Sequence, residues 1–65
     1  MKIRLNGAAT EVAAATLSAA LDELGYADAK VATAVNEEFV PASQRASTPL
    51  ADGDRIEVVA PMQGG

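Results

Sequence analysis

The sequence predicts an α+β roll, a mixed sheet of about five strands with one helix packed across one face. Three observations carry this expectation. Met1-Lys2-Ile3-Arg4-Leu5 alternates apolar and polar residues and runs into Asn6-Gly7, so it reads as the first arm of a hairpin. Leu17, Ala20, Leu21 and Leu24 recur at i, i+3, i+4 and i+7, one apolar stripe along a helix. Near the far end, Arg55-Ile56-Glu57-Val58 alternates once more. Sixty-five residues make one domain near the lower limit for a self-sufficient core. Fifteen of them are alanines, which bury little area, and no cysteine is present to staple the fold. The larger apolar residues suffice for one sheet on one helix, and modest stability is expected.

Taken in order, the elements follow from local chemistry. Met1, Ile3 and Leu5 form the inward face of a first strand. Asn6-Gly7 suits a type I′ turn, whose central positions both need positive φ. The return strand over Ala8–Val12 holds weak strand formers apart from Thr10 and Val12, which marks it as an edge. Thr16 is the candidate helix N-cap, with Ser18 as a rival, and Gly25 is placed to end the helix in a left-handed conformation. Asp22 and Glu23 lie off the apolar stripe and read as a solvated face, while Tyr26 is expected to pack back on the last turn. So short a helix must rest on a sheet to persist. Val31–Asn36 reads as a third strand, with Val31, Thr33 and Val35 on one face and Ala32 and Ala34 on the other. Glu37-Glu38 is expected to turn the chain into a short strand, Phe39-Val40, which Pro41 ends. Ala42–Thr48 is polar and irregular, with room for one 3-10 turn. Asp52-Gly53 is a turn signal before a last strand over Asp54–Ala60. The first and last strands are the most strongly patterned and belong side by side at the sheet centre. That order, β-β-α-β-β-β, describes a roll of the β-grasp, ubiquitin-like kind.

Bulk properties narrow the functions. A net charge of −4 with five scattered basic residues argues against nucleic acid, which demands a basic patch. No apolar run approaches the ~20 residues of a membrane span. The alternating start is not a signal peptide, so a cytoplasmic protein that binds neither nucleic acid nor membrane is expected. No histidine or cysteine supplies a general base or thiol nucleophile, and Ser18, Ser43 and Ser47 have no base beside them, so the chain is expected not to be an enzyme. A lone Asp52-Gly53-Asp54 is a turn rather than a metal site, and no metal is expected.

The last residues stand apart. Gly7, Gly25 and Gly53 have turn or cap duties, which leaves Gly64 and Gly65 without one. The division expected is a folded body over 1–61 and a thin tail over 62–65, Met62-Gln63-Gly64-Gly65. Four extended residues reach about 13–14 Å, enough to enter a partner's active site. Glycines pass where other residues cannot, and an α-carboxylate on Gly65 is ionised at neutral pH.

Val35-Asn36-Glu37-Glu38-Phe39-Val40-Pro41, then Leu50-Ala51-Asp52-Gly53-Asp54-Arg55-Ile56-Glu57-Val58, then Gly64-Gly65, resembles the ThiS family, the small β-grasp sulfur carriers of thiamine biosynthesis. The likeness covers essentially the whole chain and is weakest over the alanine-rich Ala8–Ala15. The resemblance implies that a ThiF-type adenylating enzyme activates the Gly65 carboxylate with ATP and magnesium, both held by that partner. A sulfur donor then yields a thiocarboxylate, which a ThiG-type thiazole synthase consumes. Gly64, Gln63 and Met62 would thread into the partner's active site.

Docking is expected on the sheet face without a helix, where Ala32, Ala34 and Val59 lie, with Phe39 either joining that patch or filling the core. Glu37, Glu38 and Glu57 either steer the body towards a basic surface or form a solubilising rim. A monomer is expected until a partner is met. Other readings stay open on the sequence: a carrier for molybdopterin, cysteine or tRNA thiolation, a modifier conjugated to lysines, or a non-covalent β-grasp adaptor.

Overall fold

A computed structural model describes residues 1–27 and 29–60 of the chain. The elements run β1 (Lys2–Leu5), β2 (Ala8–Glu11), α1 (Leu17–Glu23), β3 (Ala32–Val35), β4 (Glu38–Val40), a 3-10 helix over Ala42–Ser47, and β5 (Arg55–Val59). The five strands form one sheet in the order β2-β1-β5-β3-β4, with β1 parallel to β5 and the other pairs antiparallel. The two strongly alternating strands therefore do lie side by side, and β2 does form an edge.

The core fills the space between one sheet face and α1. Ile3, Val40, Ile56 and Val58 enter it from the sheet, Leu17, Ala20 and Leu21 from the helix, and Val12 and Leu50 from the connections. Met1 was expected on the inward face but is 36% exposed. Its ammonium group instead donates to the Val12 carbonyl at 2.7 Å, at the edge of the sheet.

Both helix ends are closed by named groups. Thr16, not Ser18, is the N-cap, its Oγ1 accepting from the Ala19 N–H at 3.2 Å. At the other end Gly25 has φ +93°, Gly25 N–H donates to Asp22 O, and Tyr26 N–H donates to Leu21 O at 2.8 Å. Those two bonds make a Schellman motif, and half-buried Tyr26 packs on the core as its apolar contact. Glu23 is exposed, as expected, and does more than face solvent. Its carboxylate accepts from Ala13 N–H at 3.0 and 2.9 Å and from Ala14 N–H at 3.1 Å. The reason is local: alanines in the β2–α1 connection have no polar side chain to satisfy these amides, and the last helical turn brings a carboxylate to them.

The β3–β4 turn is also displaced from Glu37-Glu38. Asn36 and Glu37 take its centre with φ +51° and +72°, and Glu38 opens β4. Asn36 decides this, because its Oδ1 accepts from Arg55 N–H and its Nδ2 donates to Asp54 Oδ1, each at 3.0 Å. The first hairpin is built alike. Asn6 and Gly7 have φ +50° and +86°, and the Asn6 side chain bonds both the N–H and the carbonyl of Val58, at 2.9 and 3.2 Å. Two asparagines thus extend the hydrogen bonding of β5 on its two sides.

Glu37 is left in the left-handed region, which costs a non-glycine residue about 1–2 kcal/mol. Glu37→Gly is therefore expected to stabilise the fold by about 0.5–1 kcal/mol after the entropy of glycine is subtracted. A thermal melt should move up by a few degrees, on the order of 4 °C. An unchanged or lower midpoint would show that Glu37 is not strained there.

Candidate functional site

The alternation of β5 sends Ile56 and Val58 inward and leaves Arg55, Glu57 and Val59 exposed. Register then assembles the open face. Ala32 pairs with Val59, and Ala34 pairs with both Phe39 and Glu57. Phe39 is 69% exposed and Val59 61%, Ala32 is exposed and Ala34 half-buried. Phe39 therefore does not fill the core. Val40 takes the inward position of β4 beside Thr33, and a two-residue period turns its neighbour out. The four residues named from the sequence, Ala32, Ala34, Phe39 and Val59, share one apolar strip with Glu57 inside it.

The strip runs to the end of the sheet where β3 begins and β5 ends, and Ala60 is the last residue described there. Met62, Gln63, Gly64 and Gly65 lie outside the described residues. Beside Val59 is an open hollow of about 530 Å³ lined by Lys30, Val31, Ala32, Ala42, Arg45 and Val59, together with Ala29.

Arg45 belongs to the 3-10 helix and was not singled out from the sequence. Its Nε donates to Thr33 Oγ1 at 3.1 Å and its Nη2 to the Val31 carbonyl at 2.6 Å. The buried Thr33 hydroxyl in turn donates to Val40 O at 2.9 Å. A hydroxyl inside a sheet face is thereby satisfied as donor and acceptor. The 3-10 helix is pinned against the start of β3 by the same contacts. One signal was available: Arg45 is the sole cation between residues 31 and 54.

Other polar residues hold the frame. Asp52 Oδ1 accepts from Lys2 N–H and Asp54 Oδ2 from Ala51 N–H, both at 2.8 Å, so the Asp-Gly-Asp turn fixes β5 beside β1. Ser47 Oγ donates to the Gln44 carbonyl. Among the described residues no three carboxylates converge as a metal site would need. No described helix is long and apolar enough to cross a membrane.

A hairpin, a helix crossing over, and a parallel pair of first and last strands at the centre of a mixed sheet define a ubiquitin-like β-grasp protein. Solved structures agree. The crystal structure of the thiamine biosynthesis protein ThiS from Geobacter metallireducens matches with a TM-score of 0.84 at 29% identity, over 100% of both chains. A solution structure of a thiamine biosynthesis protein from the same organism matches with a TM-score of 0.78 at 28% identity, covering 100% of this chain and 88% of that one. The chain belongs to the ThiS family, whose pattern matches residues 3–65 and so takes in Gly64 and Gly65. Sulfur carrier protein ThiS of Thermus thermophilus is 43% identical over 61 residues, 94% of this chain and 95% of that protein. A thiazole synthase of Paramagnetospirillum magneticum is 42% identical over 66 residues, and this chain spans 20% of its length.

Proposed function

We propose that this protein carries sulfur on Gly65 for thiazole formation in thiamine biosynthesis. The observation that carries the reading is the 43% identity to a sulfur carrier protein along nearly the whole chain, within a family match that includes the diglycine. In this reading a Gly65 carboxylate oxygen attacks the α-phosphorus of ATP and pyrophosphate departs, leaving an acyl-adenylate. A carboxylate is a poor acyl donor until one oxygen becomes a leaving group, and adenylation supplies that. Sulfide attacks the carbonyl next, AMP leaves with the original oxygen, and a proton is released as the thiocarboxylate forms. Gly65 has no side chain to obstruct either attack.

The chain acts as protein substrate rather than enzyme in this scheme, and ATP and magnesium are held by a ThiF-type adenylating partner. A ThiG-type thiazole synthase is the proposed acceptor. The similarity of this chain to a segment of a thiazole synthase supports that choice, since a carrier and its consumer gain from sharing a chain. Residues 62–65 serve as the threading arm, and the strip of Ala32, Ala34, Phe39 and Val59 rests on the partner.

Intact-mass measurement tests the reading. The purified chain is incubated with ATP, magnesium, sulfide and a ThiF-type enzyme already shown competent on a known carrier. A mass gain equal to replacing one oxygen by sulfur is expected, located at Gly65 by fragmentation. No gain, or a gain elsewhere, would sink it.

A further inference from the structure

We infer that the hollow beside the end of β5 is a second contact for the adenylating partner, and that the partner fills it with an apolar side chain flanked by a carboxylate. The inference rests on the carrier reading and extends it to residues no comparison assigns. Its first support is reach. Val59 lines the hollow and stands six positions before Gly65, a span of at most about 20 Å when extended. Whichever enzyme draws Gly65 into a water-excluding site must bring its rim against the part of the body from which the tail departs. The hollow lies in that part. It shares Ala32 and Val59 with the apolar strip, so one continuous surface is covered.

Its second support is charge. Lys30 and Arg45 are two of only five cations in a chain of net charge −4, and among the described residues no carboxylate lines the hollow. Among the described residues Arg45 spends two of its five donors, on Thr33 and Val31. Covering two cations without opposite charge leaves them desolvated, which an interface avoids. The walls between them, Val31, Ala32, Ala42 and Val59, are apolar and small, which fits an aliphatic or aromatic anchor. Glu37 and Glu38 lie at the β3–β4 turn, and Glu57 stands in the adjoining strip rather than among the residues of the hollow, so the partner's complement at the hollow itself is acidic rather than basic.

The experiment measures pyrophosphate release against carrier concentration with a ThiF-type enzyme that adenylates the wild-type chain. Lys30→Glu reverses one charge on an exposed side chain, and Ala42→Trp fills the hollow from an exposed position. Asp22→Lys, on the exposed helix face, is the control, and circular dichroism checks that all variants fold. Lys30→Glu should raise the KM for the carrier about tenfold at low salt with kcat within twofold, and the penalty should shrink at high salt. Ala42→Trp should raise KM comparably at every salt concentration. KM unchanged in both folded variants would overturn the inference while leaving the carrier reading intact, and so would tight binding of inorganic phosphate or AMP in the hollow of the free chain. If the wild-type chain is not adenylated at all, the carrier reading fails and this inference falls with it.

Discussion

Truncation after Gln63 is expected to abolish adenylation and thiocarboxylate formation while leaving the melting midpoint unchanged. The two halves of this result have separate causes. Every buried residue among those described lies between Ile3 and Val58, and the truncation removes none of them. Removing two residues withdraws the carboxylate by about 7 Å. Catalysis needs reacting atoms within about 3–3.5 Å, and a misplacement of even 1 Å can cost about a hundredfold. Residual turnover above about 1% of wild type would therefore contradict the proposed role of the arm. A further readout separates this from simple loss of binding. The truncated chain keeps the strip of Ala32, Ala34, Phe39 and Val59, so it should compete with the full chain for the activating enzyme. Inactive yet competitive is the expected result; an adaptor with an incidental tail would instead bind its partner equally well with or without the two glycines and show no adenylation in either form.

Ile56→Ala is expected to have the largest effect on the fold itself. Ile56 is 1% exposed in β5, pairs with Leu5 on one side and Val35 on the other, and faces α1. Burial loss and the cavity left behind cost about 2–5 kcal/mol for such a change. Alanine also gives up strand propensity, on a scale spanning about 1 kcal/mol. A domain this small has about 3–5 kcal/mol in total from its core. The cost matches the whole, so a large unfolded fraction should be present in buffer at room temperature, visible as lost ellipticity and a urea curve without a native baseline. A variant retaining a full native baseline and a midpoint near wild type would mean that the core is not centred on β5.

Much of this was legible in the sequence because it depends on neighbours along the chain. Alternation placed Ile3, Ile56 and Val58 inward, the Leu17–Leu24 stripe placed the helix, and Asn6-Gly7 and Gly25 sat where positive φ was required. These are one-dimensional signals with one dominant physical cause each. The β3–β4 turn was misplaced by one residue because it was decided by Asn36 bonding Arg55 and Asp54, nineteen and eighteen positions away. The bonds of exposed Glu23 were not foreseen because nothing in its own helix shows that Ala13 and Ala14 lie within its reach.

The sequence by itself determined the β-grasp order, the two hairpin ends, the inward and outward faces of β5, and a chain without thiol or imidazole. Only the tertiary structure decided that Phe39 faces outward with Val59, that Arg45 satisfies buried Thr33, and that Lys30 and Arg45 meet beside the end of β5. The physical reason is range. Period and turn geometry act over two to four residues, whereas the Arg45–Thr33 and Asn6–Val58 side-chain hydrogen bonds join residues 12 and 52 positions apart, whose contact no local pattern encodes.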